Sequence, residues 1–214
     1  MPYDPFYVVI IFLLLALVPF VALMVTSFVK LSVVLSLVRN ALGVQQIPPN
    51  MVINGLALIL SLYIMAPVGM EMFGLMTRAM NKSSDFGIIL KESGEACEPL
   101  RKFLFKHSEK KERLFFLQSA YKLWKKDSAK KLKETNLIVL IPAFTIHELG
   151  DAFKIGFLIY LPFVIIDLII SNILLAMGMM MVSPMTISLP FKLLLFVLVN
   201  GWTKLIHGLV LSYA

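Results

Sequence analysis

An all-α integral membrane protein, with about four hydrophobic helical segments and a helical polar insert between the second and third, is the fold that this 214-residue sequence predicts. Three observations carry that expectation. Hydrophobic residues make up 59% of the chain and charged residues 15%, against nearly half and about a quarter in soluble domains. Residues 5–29 and 40–70 contain no charge, and 155–191 contains only Asp167; each window supplies the roughly 20 apolar helical residues that a hydrocarbon core of about 30 Å requires. The charge is instead concentrated in 71–134, which holds 15 of the 20 basic residues and 9 of the 13 acidic ones.

The first span is expected over 6–25. Its amino-terminal flank, MPYDP, carries an acid and no lysine or arginine, unlike a secretory signal, so the span is expected to be retained. Pro19 lies within it and can kink it, which membrane helices tolerate when neighbours satisfy the freed carbonyl. The second span begins at 51, past the rigid pair Pro48 and Pro49, and is expected to end near Pro67. These two helices and the QQIPPN loop between them form a region 1–70, followed by a water-facing insert, 71–136.

Within the insert, Leu114, Leu117, Tyr121 and Trp124 recur every three or four residues with Lys122, Lys125 and Lys126 interleaved, the pattern of an amphipathic helix packing one face on its neighbours. The same pattern suits anionic lipid, but a net charge of only +6 over 71–134 and the lack of an RNA-binding signature argue against nucleic acid. The third hydrophobic region starts near 137 and is expected to be a short helix, broken by the polar patch HELGDAFK at 147–154, and then a full span over 155–176. A methionine-rich loop, 177–185, leads to a last span at about 193–214, completing a region 137–214. The count is four spans, or three and an embedded hairpin. Lys30 and Arg39 favour a cytoplasmic first loop, whereas the charge of the insert favours the reverse, and loops of about 60 residues translocate largely regardless of charge.

Little here points to catalysis or to a cofactor. His147 and Glu148 begin an HExxH-like string, but its fifth position is Asp151, and the three histidines are far apart. No GxSxG, P-loop or GxGxxG is present. Cys97, the one cysteine, excludes an intramolecular disulfide and a CxxC site. Asp167 needs a partner, a proton or water, because a lone carboxylate in an apolar layer is costly; Lys154, Lys192 and Lys204 are the cations at hand, of which Lys192 and Lys204 are the favoured partners, within the chain or from a neighbouring copy. Met179, Met180 and Met181, between Gly178 and Pro184, are unbranched and polarizable, and suit either ordinary core filling or an adaptable apolar seal around a pore. Gln45, Gln46, Pro48, Pro49 and Asn50 read equally as an assembly loop bonding across subunits and as an exposed turn. Gly43, Gly55, Gly156 and Gly178 would permit close helix approach.

Three strings then carry a resemblance over nearly the whole chain: TSFVKLSVVLSLVRNALGVQQIPPNMVINGLAL at 26–58, PLRKF at 99–103, and the run from IPAFTIHELGDAFK to LVNGW at 141–202, which includes GMMMVSP. They closely resemble the FliP/SctR family, the R component of the type III secretion export apparatus. The resemblance implies a helical subunit that assembles as several copies, generally five, with the S, T and U components into a gate for unfolded polypeptide in the bacterial inner membrane. It implies that Met179, Met180 and Met181 line a constriction as a gasket, that the insert is periplasmic, and that the assembly sits partly above the bilayer plane, so that apolar runs need not be simple spans. Flagellar members usually begin with a cleavable signal, so a chain starting at its first apolar run points to an injectisome. A solute transporter or ion channel built around Asp167 is the competing class, but no related halves are apparent.

Overall fold

The computed structural model describes residues 5–44, 47–82, 94, 96–125 and 132–214. Among them all regular structure is helical, in the order α1 (Pro5–Met24), α2 (Phe28–Ala41), α3 (Asn50–Lys82), α4 (Glu98–Lys106), α5 (Lys110–Leu123), α6 (Leu137–Ala176), α7 (Pro184–Leu198) and α8 (Gly201–Leu211). Two of these, α3 over Asn50–Arg78 and α6, are long and apolar enough to cross a membrane. The number rises to four if each of the bent pairs α1–α2 and α7–α8 counts as one span.

Polarity divides the chain near 70 and 136, whereas spatial compactness groups Met1–Val29 with Met65–Glu148, and Lys30–Ile64 with Leu149–Ala214. In the first unit, Leu104 of α4 and Leu140 and Phe144 of α6 are closed from solvent and meet Val25, with Leu100, Phe103, Leu137 and Ile141 around them. The stretch after α1 is fixed at a second point, where the Thr145 hydroxyl donates to the Met24 carbonyl at 3.2 Å. Arg113 ties the insert together. Its guanidinium donates to the Phe105 and Ser108 carbonyls near the end of α4, lies 4.1 Å above the Phe105 ring, and reaches Glu134 at 3.8 Å.

In the second unit α2 buries one face, Leu31, Val34, Leu35 and Val38 at i, i+3, i+4 and i+7, and Ile53 and Ala57 of α3 are buried in the same unit. Gly156 of α6 allows a close approach here, since a Cβ on it would fall 2.3 Å from Leu37 Cδ1. Near the carboxyl end Tyr213 is buried and its ring lies 4.0 Å from Lys30 Nζ, so this cation keeps an aromatic face in place of water.

Five expectations are corrected. Pro67 does not end the second helix, which continues to Lys82; proline costs one i to i−4 bond, and its exposed position leaves that carbonyl accessible. The patch HELGDAFK does not interrupt the third region, because α6 runs unbroken over 40 residues. Polar side chains do not compete for its backbone ladder: Glu148 is buried, and Lys154 pairs with Asp151 at 3.0 Å. The methionine loop is shorter than 177–185, since Pro184 already begins α7 in the first-turn position where its missing N–H costs nothing. The last span is not one helix over 193–214: α7 and α8 meet at 58°, with Asn200 in the left-handed region at φ 52°. Gly201 stands at that bend because any Cβ there would lie 2.3 Å from the Phe196 ring. In α5, finally, the buried positions are Arg113 and Ala120, while Tyr121 and Trp124 of the expected stripe are exposed.

Candidate functional site

The methionine loop sits at the tip of a helical hairpin whose two ends are set by backbone chemistry. Helix α6 stops at Ala176 because Gly178, at φ 72°, takes the left-handed cap. The Gly178 N–H donates to Leu175 at 3.0 Å and the Met179 N–H to Leu174 at 2.9 Å, the paired bonds of a Schellman cap. Residues 177–183 cross to α7, which Pro184 opens. The loop turns its thioethers outward: Met179 is 41% exposed, Met180 81% and Met181 99%.

One charged cluster clamps the root of the hairpin. Lys192 Nζ of α7 donates to Asp167 Oδ2 of α6 at 2.6 Å, and Ser188 Oγ, one turn earlier on α7, donates to Asp167 Oδ1 at 2.5 Å. The Lys192 side chain is 3% exposed and that of Asp167 33%, so the cation is sealed while the carboxylate keeps an edge to solvent. Lys192 Nζ also lies 3.5 Å from the carbonyl of Ala41, the last residue of α2, where a positive charge complements the helix dipole. The cluster therefore joins three helices. Lys204 is exposed on α8, and Lys154 is paired with Asp151.

The second candidate element is placed in part. Gln45 and Gln46 lie outside the described residues. Beyond them Arg39 Nη1 donates to the Pro48 carbonyl at 3.2 Å and to Asn50 Oδ1 at 2.5 Å, tying the end of α2 to the start of α3. Pro49 accepts the Ile53 N–H at 3.2 Å and so helps to open α3. Gly43, just before this loop, faces Met185, Leu189 and Lys192 of α7, so the loop's base and the hairpin root share one helix face.

Ser188 was not singled out from sequence, and Arg39 figured there only as a charge bearing on topology. A serine one turn before the lysine that pairs with Asp167 was the available signal for the first, and an arginine within reach of a proline-rich turn for the second. His147 Nδ1 lies 3.9 Å from Glu109 Oε2 and Glu148 is closed from solvent. Among the described residues no group of three or more His, Cys, Asp or Glu is placed to hold a metal ion. Chemically the site offers soft apolar surface on a rigid mount.

Residues 11–209 match the model of the FliP family. The chain is 57% identical over 210 residues to the Yop proteins translocation protein R of Yersinia pestis, covering 98% of this chain and 97% of that protein. It is 51% identical over 201 residues to the hypersensitivity response secretion protein HrcR of Ralstonia nicotianae, covering 93% of each. With the virulence protein YscR of Salmonella typhimurium the identity is 49% over 214 residues, 100% of this chain and 99% of the other.

Proposed function

The chain belongs to the FliP family, and from that premise we infer that it is a membrane subunit of the type III secretion export gate and not a solute transporter. Relatives named for translocation and secretion support this reading, as do helices apolar enough to cross a membrane. Such a subunit works beside other secretion components in the bacterial inner membrane. In finer detail, several copies, five on the family resemblance, surround a path for unfolded polypeptide together with the S, T and U components and lipid. The insert faces the periplasm, and the QQIPPN loop takes part in contacts between copies.

The observation that carries the proposal is the methionine loop: exposed, flexible side chains on a mount held by Asp167, Ser188 and Lys192. A seal for a passing chain needs an apolar surface that reshapes at little cost, and methionine supplies it through unbranched, freely rotating side chains. The clamp fixes where that soft surface stands. Lys204 is the exposed alternative cation for contacts between copies.

The test uses a Cys97→Ser background with single cysteines placed along 174–186. Identical positions of different copies should crosslink in cells, best at the loop tip. Replacing Met179, Met180 and Met181 with alanine should raise small-ion leak through assembled complexes while much export persists. Absence of such crosslinks, with the chain monomeric in mild detergent despite coexpressed S and T components, would overturn the gate reading. Unchanged conductance in an assembled alanine variant would remove the gasket.

A further inference from the structure

Five methionines fall within nine residues at the hairpin tip, and all five side chains are exposed: Met177, Met179, Met180, Met181 and Met185. A leucine or phenylalanine in these places would also present apolar surface, but it would be inert toward oxygen-atom donors. A thioether sulfur has a lone pair open to attack, and its oxidation turns a flexible apolar side chain into a polar, chiral one. In the single chain Met181 is 99% exposed, so nothing of its own fold covers the sulfur. The backbone of the loop is held by its own cap bonds and by the clamp below it, so oxidation would change the surface without unfolding the mount.

We propose that the methionine loop is an oxidation site at which a peroxide converts the seal to a wetted, ion-permeable state, an inference that rests on the gasket reading above. In the step, the sulfur lone pair attacks the peroxide oxygen, the O–O bond breaks and an S–O bond forms. Sulfur is oxidised by two electrons, and hydrogen peroxide leaves as water. A methionine sulfoxide reductase reverses the step with two thiols, which become a disulfide as the oxygen departs as water. Closure returns only when the sulfurs are again apolar.

The experiment treats membranes carrying the whole assembled complex with hydrogen peroxide, then reads oxygen addition by peptide mass spectrometry and leak by conductance. Met51, 87% exposed and distant in sequence from the loop, serves as the internal reference. The expected result is sulfoxide at 179–181, a several-fold rise in leak, and recovery on adding sulfoxide reductases of both stereospecificities with a dithiol. A variant with all three methionines exchanged for leucine should show no further rise in leak on adding oxidant, whatever its leak beforehand. Should that variant fail to assemble on a blue-native gel, Met181→Leu replaces it and should lower the oxidant-induced leak in part. The inference is overturned if the loop stays unoxidised while Met51 gains oxygen, if complete sulfoxide formation leaves conductance unchanged, or if oxidant raises the leak of the leucine variant as it does the parent's. The triple alanine variant without oxidant separates the two readings. Leak there with a tight oxidised parent sinks only the oxidation step, whereas a tight alanine complex sinks the gasket itself.

Discussion

Exchanging Asp167 for asparagine should destabilise the chain more than exchanging Lys192 for methionine, even though both remove the same ion pair. The difference comes from what is left behind. Asp167→Asn leaves an ammonium group whose side chain is 3% exposed, with the Ala41 carbonyl 3.5 Å away; stranding a buried charge in this way costs about 3–5 kcal/mol. Lys192→Met leaves a carboxylate that is 33% exposed and still accepts the Ser188 hydroxyl, so the loss should be nearer 1–3 kcal/mol. Making both changes removes the stranded charge, and neutral replacement of a buried pair is often close to neutral. The interaction energy in the double-mutant cycle should then approach the sum of the two single losses, roughly 4–8 kcal/mol. The assay is SDS titration of the purified chain in mixed micelles, followed by loss of helical circular dichroism. Two results would refute the reasoning: lysine exchange costing more than aspartate exchange, or a double variant that matches the sum of the singles within about 0.5 kcal/mol.

Gly201→Ala places a methyl group 2.3 Å from Phe196, whose ring is already held between Phe163 at 6.3 Å and Trp202 at 5.3 Å. The same titration should register an overpacking loss of about 1–3 kcal/mol, partly recovered by adding Phe196→Leu. No loss would mean that the bend between α7 and α8 relaxes freely. Arg113→Lys keeps the charge but surrenders the fork that serves the Phe105 and Ser108 carbonyls. It should cost about 1.5–3 kcal/mol, seen as faster hydrogen exchange confined to 98–123 while 184–211 is unchanged. A uniform rise over both segments would contradict a local role for Arg113.

What the residues made legible was need, more than geometry. A lone carboxylate in an apolar run must find a cation, and Asp167 announces that in any alignment of windows. Which cation it meets depends on a turn: Gly178 in the left-handed region and Pro184 at the head of α7 set the return angle that brings Lys192 and Ser188 opposite Asp167. The spacing of Leu31, Val34, Leu35 and Val38 marked a helix that reading the uncharged windows as whole spans passed over. The charges of HELGDAFK suggested a break because polarity was taken for discontinuity, yet the backbone ladder of a helix is indifferent to polar side chains that have partners. At the other end averaging over an apolar window hid the Asn200–Gly201 pair, which is a turn signal in its own right. The insert's keystone, Arg113, was masked for a related reason: in a segment so rich in lysine, one buried guanidinium looks like any other surface charge.

Helix α6 has a consequence of plain trigonometry. Its 40 residues rise about 60 Å at 1.5 Å per residue, against a hydrocarbon slab of about 30 Å. To lie wholly inside such a slab its axis would have to lean by roughly 60°, well past the tilts of 0–40° that membrane helices adopt. Within those tilts a slab of that thickness takes in at most about 39 Å of helix, so about a third or more of α6 exceeds one slab thickness, and burial differs along its length. Val139, Leu140, Ala143 and Phe144 near its first turns are buried, with Ile138 and Ile146 exposed among them, whereas Phe153, Phe157, Leu161, Ile165, Leu168 and Leu175 turn outward and only Phe163 and Leu174 of the large apolar side chains there are buried. The stretch from Phe153 to Leu175 measures about 33 Å, one slab thick. The opening turns of α6 are thus surplus to one slab thickness.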